Sequence, residues 1–128
     1  MEIFKIVTLS LSGLLLLFVG TMRLINPIKT YLKNSGIKLE NDVNLLNEMR
    51  GVSSVMLLAG VIILMGTFIP EISLTSHSFA ILLFLGFAVG RVVSFGLDGK
   101  PNSLIIQGLI FELVLGGANA FCIVNTLA

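Results

Sequence analysis

GVSSVMLLAGVIILMGTFIP, residues 51–70, is a run of 20 residues without a charge, bounded by Arg50 and Glu71. An α-helix rises about 1.5 Å per residue, so about 20 residues cross the roughly 30 Å hydrocarbon core of a bilayer. This stretch therefore predicts a membrane-spanning helix. The whole chain agrees, because its 128 residues are 55% hydrophobic and 12% charged, with a mean hydropathy of +1.04. Soluble domains carry roughly 25% charged residues, so a soluble fold is excluded.

Three further stretches can span a membrane in the same way. Residues 6–22 carry no charge, residues 78–97 are interrupted only by Arg91, and residues 102–128 only by Glu112. The first stretch could also be the core of a signal peptide, but no typical cleavage site follows it, so an uncleaved span is preferred. The prediction is an all-α fold, in which one domain covering the whole chain is a four-transmembrane-helix bundle. The predicted spans cover approximately residues 4–25, 47–69, 76–97 and 102–126.

Basic residues set the predicted orientation. Seven of the eight Lys and Arg residues lie in or beside the two loops on one side of the bundle, and only Lys5 lies on the other side. The seven are Arg23, Lys29, Lys33, Lys38, Arg50, Arg91 and Lys100. The positive-inside rule then predicts a multi-pass protein of the bacterial inner membrane with both basic loops cytoplasmic and both termini periplasmic. The lipid bilayer is its expected surrounding, and a net charge of only +1 argues against a nucleic-acid partner.

A short helix along the inner membrane interface is predicted in the first basic loop. Pro27 suits the first turn of a helix, apolar residues follow it at helical spacing, and Gly36 is placed to end it. Lys29 and Lys33 lie off the apolar face, so they can reach lipid phosphates.

Small residues recur at the spacing of a helix face. Gly13 and Gly20 lie one heptad apart on the first predicted span. In lipid, such faces let helices approach closely, so a packing role is preferred over a binding role. On the last two spans the candidate packing residues are Gly86, Gly90, Gly108 and Gly116.

Two ionisable residues interrupt the apolar spans. Glu112 lies ten residues after Asn102, about 15 Å along the helix axis and near the bilayer midplane. A carboxylate there costs at least about 2.5 kcal/mol unless it is paired, protonated or hydrated. Arg91 is the best-placed partner, because the last two spans run antiparallel from the turn near Gly99. Glu48 is expected to face inward at the start of the second span and to reach Arg91.

Arg91, Glu112 and Glu48 belong to a larger polar network that is predicted to be buried in the bundle. Arg23, at the end of the first span, lies beside this network and completes the ring of polar groups. The members of the network are Asn47, Glu48, Arg50, Arg91, Ser94, Asp98 and Glu112. Two interpretations stay open. In one, the network is a buried salt-bridge system that fixes helix register. In the other, it lines a cavity that binds a polar head group or carries protons.

Nothing in the sequence points to a catalytic, metal or cofactor site. No nucleophile–base pair, phosphate loop or dinucleotide fingerprint is present. His77 is expected in an outer loop without further ligands at metal-binding spacing, and the single Cys122 cannot form an internal disulfide. No catalytic residue, metal or cofactor is predicted.

Two motifs and one isolated residue carry a resemblance to a known family. They are Asn47-Glu48-x-Arg50-Gly51, then Gly90-Arg91-x-x-Ser94-x-x-x-Asp98-Gly99-x-Pro101, and Glu112. With them the chain resembles a family of small, uncharacterised bacterial four-helix membrane proteins, classed as a domain of unknown function. More remotely it is similar to the DoxX-like four-helix bundles. The resemblance implies a four-span bacterial membrane protein with this polar set as its shared core, and it implies no reaction.

The function predicted from the sequence is that of a non-catalytic inner-membrane protein. It is either an accessory subunit of a membrane-protein partner or a bundle that self-associates into a homo-oligomer. The first alternative is a binding protein or enzyme for a lipid-like molecule such as a quinone or isoprenoid, using Glu112, Arg91 and Glu48. The second alternative is an oligomeric transporter or proton pathway in which Glu112 titrates.

Overall fold

The computed structural model describes residues 1–128, which form five α-helices, one 3-10 turn and no strands. The elements are α1 (Glu2–Ile25), α2 (Pro27–Ser35), α3 (Val43–Phe68), the 3-10 turn Pro70–Ile72, α4 (Ser73–Asp98) and α5 (Ser103–Leu127). All helices except α2 are long and apolar enough to cross a membrane. The predicted all-α fold, with four helices able to span a membrane, is therefore confirmed. The helix α3 begins four residues before the predicted start at 47, and α4 begins three residues before the predicted start at 76.

The short helix α2 follows α1 almost directly and is the helix predicted in the first basic loop. Pro27 occupies its first turn, and the Asn26 side chain caps it by accepting a hydrogen bond from the Lys29 backbone N–H at 3.3 Å. Gly36 ends it with φ of +66°, a left-handed conformation that glycine adopts without strain. The Asn102 side chain donates to the Ser35 carbonyl at 2.8 Å, which ties the end of α2 to the start of α5.

Glycines permit a close crossing between α1 and α3. A Cβ on Gly20 would lie 2.7 Å from the Leu57 backbone nitrogen, and a Cβ on Gly60 would lie 2.7 Å from that of Leu17. Only residues without a side chain allow the two backbones to approach this closely. The packing role expected of Gly20 is therefore present in the structure, and Gly60 plays the same role on the facing helix, opposite Gly13 and Leu17.

Most of the glycines predicted to pack α4 and α5 make no close contact within the bundle. Gly86, Gly90 and Gly108 have no atom within 4 Å of the position that a Cβ would occupy. Among the four, Gly116 alone is packed, against the Leu85 side chain of α4. The reason is that α4 turns a different face inward, the one that carries buried Ala80, Leu83, Phe84 and Ala88.

The helices form two tight pairs with a cleft between them. Helix α1 packs mainly on α3, α4 packs mainly on α5, and α3 joins the pairs through α4. The core residues come from α1, α3 and α4, with Leu9, Ile63 and Phe84 almost fully buried. Helices α1 and α5 touch each other only sparsely. The fold therefore leaves a gap between the first and last helices of the chain.

Candidate functional site

An ion pair joins α4 and α5 inside the gap. Arg91 Nε donates to Glu112 Oε1 at 2.8 Å. Arg91 lies seven residues before the end of α4 and Glu112 nine residues after the start of α5, so the antiparallel hairpin places them side by side. Glu112 is 8% exposed, so its charge needs a partner, and a short charge-assisted hydrogen bond supplies one.

Arg23 projects into the same gap from the end of α1. The central guanidinium carbon lies 4.3 Å from the centroid of the Tyr31 ring of α2, a cation–π arrangement. Its other contacts are long, with Nη2 3.4 Å from Ser35 Oγ and Nη1 4.0 Å from Met56 Sδ. Its Nε is buried and has no hydrogen-bond partner. No carboxylate lies within 4 Å of the guanidinium. Arg23 is thus a half-buried cation without a counter-ion in the chain.

A pocket of about 430 Å³ occupies the gap between α1, α4 and α5, and α2 lies across one end of it. Its polar lining residues come from α2 and from the adjacent halves of α1, α4 and α5; they are Arg23, Lys33, Asn34, Ser35, Arg91, Gln107 and Glu112. Its walls are apolar, with Leu16 and Phe84 buried at the inner side. Phe18 of α1 and Phe111 of α5 also line it and are 65% and 61% exposed. The pocket is amphipathic and opens sideways between α1 and α5.

Most of the predicted polar network lies outside this pocket. Asn47 and Glu48 are exposed at the start of α3 and do not contact Arg91, so the inward position expected of Glu48 is wrong. The physical reason is the rotation of α3, whose buried face runs through Ser53 and Met56 instead.

The other three predicted network residues make their contacts outside the pocket. Arg50 donates through Nη1 to the carbonyls of Leu24 and Ile25, where α1 leaves its last carbonyls without helical partners. It therefore caps α1. Ser94 Oγ donates to Asp98 Oδ2 at 3.0 Å along an exposed face of α4. Of the seven residues predicted to form the network, only Arg91 and Glu112 meet in the pocket, while Ser94 and Asp98 pair with each other outside it.

The sequence of the chain matches one known protein family. The family described as Domain of unknown function (DUF4345) matches residues 3–122. The chain belongs to the DUF4345 family. The match runs from α1 through most of α5, so the resemblance to an uncharacterised family is confirmed. No protein of curated function and no solved structure matches the chain. The similarity to DoxX-like bundles remains a prediction.

A second buried polar cluster of this DUF4345 chain lies at the opposite end of the bundle. Asn119 Nδ2 donates to Ser12 Oγ at 2.9 Å, and Asn119 Oδ1 lies 2.7 Å from His77 Nδ1. Because Oδ1 can only accept, the proton of the neutral imidazole belongs on Nδ1, and Nε2 is left buried without a partner. The expected loop position of His77 is wrong, because α4 already begins at Ser73.

Sequence reasoning missed this cluster and the contribution of α2. Asn119 follows Glu112 by seven residues, so the two share a helix face, and that spacing was the available signal. No comparable signal marked Ser35 or Lys33, because they reach the pocket only when α2 folds back beside α1 and α5.

Proposed function

We propose that this membrane protein is a non-catalytic binder of a lipid-like molecule, which it holds in the pocket between α1 and α5. The observation that carries the proposal is the amphipathic lining of the pocket together with its sideways opening. A volume of about 430 Å³ falls within the range of about 300–1,000 Å³ of small-molecule sites. A molecule dissolved in the bilayer can enter past Phe18 and Phe111 without crossing water.

The state of the ionisable residues supports binding over catalysis. Glu112 is the acidic residue of the pocket, and Arg91 already engages its carboxylate. Oε1 of this carboxylate is thus occupied by the Arg91 N–H and is not free for a bound molecule. His77, the chain's histidine, lies with the cluster at the other end of the bundle.

The interval between the Arg91–Glu112 ion pair and the Asn119 cluster argues against a proton pathway. Gly116 lies between Glu112 and Asn119 on the buried face of α5. Side chains of Phe84 and Leu85 fill the space in front of Gly116. Apolar side chains therefore occupy the interval that a relay would have to cross.

A second candidate function is association with another membrane helix. The observation in its favour is that Gly86 and Gly90 lie on an exposed face of α4 with open space in front of them. Small residues on a lipid-facing surface permit close approach of a second helix. This face would suit either a second copy of the chain or a membrane-protein partner.

We also propose that the α2 end of the bundle is cytoplasmic and both termini are periplasmic, in a bacterial inner membrane. Support comes from the basic residues, since Lys29, Lys33, Lys38 and Lys100 all lie at the α2 end. The positive-inside rule assigns such loops to the cytoplasm.

Native mass spectrometry of protein extracted in mild detergent tests the binding function, with Gly108→Leu as the blocking variant. Gly108 lines the pocket and has free space in front of it, so a leucine there fills the pocket without a clash against the helices. Gly117→Leu is the matched control, because Gly117 is an exposed glycine of the same helix outside the pocket. We expect co-purified lipid in the wild type and the control only. Equal retention in both variants would contradict the proposal.

A further inference from the structure

We infer that the head group bound in this pocket is anionic and that it sits between Arg23 and Arg91. This inference rests on the proposed function, because it takes the pocket to be a lipid site and names the chemistry of its ligand. The anionic head group distinguishes this site from one that binds a neutral head group such as a quinone ring.

The charge of the lining is the first argument. Three cationic side chains, Arg23, Lys33 and Arg91, line the pocket with one carboxylate, Glu112. That carboxylate is bound to Arg91 and can balance one positive charge. Two positive charges remain. Lys33 is exposed, but Arg23 is half-buried beside an apolar cavity, where an uncompensated charge is costly. An anion in the pocket removes this imbalance, whereas a neutral head group leaves it in place.

The unused hydrogen-bond donors are the second argument. A guanidinium has five N–H donors in one plane. Arg91 uses Nε for Glu112 and makes no other hydrogen bond in the chain, so both of its Nη groups are free. Arg23 has a buried Nε without a partner, and its Nη groups make only long contacts with Ser35 Oγ and Met56 Sδ. Two guanidinium groups with free N–H edges match the several oxygens of a phosphate or carboxylate.

The way Arg23 is held is the third argument. The guanidinium carbon lies over the Tyr31 ring, 4.3 Å from its centroid, and this cation–π contact holds the group in place at the edge of the pocket. Tyr31 is itself buried, and α2 is tied to α5 through Asn102 and the Ser35 carbonyl. The cation is therefore oriented before any ligand binds, which lowers the entropy lost on binding.

The test compares two lipids that share an acyl chain and differ in the head group. One is 1-palmitoyl lysophosphatidic acid, whose head is a phosphate, and the other is 1-palmitoylglycerol, whose head is uncharged. Each is titrated into the full-length protein in an uncharged detergent and followed by native mass spectrometry. We expect the phosphate lipid to bind at least about tenfold more tightly than 1-palmitoylglycerol, because it makes additional hydrogen bonds to charged groups.

Single-residue variants test whether the preference for the phosphate lipid arises in the pocket. Arg23→Gln should remove most of the preference for the phosphate lipid, and Arg23→Lys should restore part of it. Lys38→Gln is the control, because it removes the same charge from an exposed position outside the pocket. If Arg23→Gln does not fold, the comparison of the two lipids on the wild type still decides the inference.

Three outcomes would overturn the inference. Equal binding of both lipids, blocked in both cases by Gly108→Leu, would refute the anionic head group and leave the proposed lipid site intact. Absence of binding for both lipids would refute the lipid site itself. Binding of inorganic phosphate as tight as that of the phosphate lipid would show an anion site that does not recognise a lipid.

Discussion

Replacing Arg91 with alanine should destabilise the bundle by about 3 kcal/mol. Breaking a buried ion pair from one side costs about 3–5 kcal/mol, because the remaining charge stays without a partner. The lower end applies here, since the side chain of Arg91 is 28% exposed while that of Glu112 is 11% exposed. Glu112→Gln should cost less, about 1–2 kcal/mol, because glutamine still accepts a hydrogen bond from Arg91 and leaves only the more accessible charge unpaired.

The double variant provides the decisive comparison. Its free energy of unfolding should exceed the additive expectation by about 1–3 kcal/mol, since Glu112→Gln removes the charge that Arg91→Ala leaves unpaired. Unfolding can be followed in a titration with denaturing detergent through labelling of Cys122, the only thiol, which is fully buried in the fold. Strict additivity of the two changes would refute the pairing and require a different stabilisation of Glu112.

Three further predictions concern other parts of the molecule. Gly60→Val should cost about 1–3 kcal/mol, because its side chain meets the α1 backbone, whereas Gly117→Val on the lipid side should be tolerated; equal stability of the two in detergent would refute the close crossing. In a variant without the native cysteine, a cysteine at Glu71 should react with an impermeant thiol reagent in intact cells and one at Lys38 should not; the reverse pattern would invert the proposed orientation. Asn119→Ala should lower stability by about 1–3 kcal/mol by leaving buried polar groups at the other end of the bundle unpaired, and an unchanged unfolding midpoint would argue against that cluster.

Local signals in the sequence were sufficient for the helices. Runs without charge mark the four spans, and the pair of Pro27 and Gly36 marks both ends of α2. Hairpin geometry was sufficient for Arg91 and Glu112, because two antiparallel helices joined by a short turn fix which residues lie side by side. These features depend on neighbouring parts of the chain, so their prediction did not require the tertiary structure.

The face that each helix buries could not be predicted from the sequence in the same way. In a bilayer both the buried and the lipid-facing sides of a helix are apolar, so hydrophobic periodicity does not mark the buried face of α3. Glu48 was therefore placed inward although the structure exposes it. Glycines are ambiguous for the same reason, since Gly60 packs against a backbone while Gly86 faces open space. The pocket depends on how the two helix pairs meet, which no single segment encodes.

The ion pair of α4 and α5 also bears on how the chain is made. Isolated arginine and carboxylate residues each disfavour insertion of a helix into the membrane by about 2.5–3.5 kcal/mol. Arg91 and Glu112 lie on consecutive helices joined by only four residues, 99–102, so they can meet as soon as α5 emerges from the insertion machinery. The hairpin then enters the bilayer as a unit whose intramembrane charges cancel. Membrane integration of the last two helices does not have to wait for α1 and α3 to assemble.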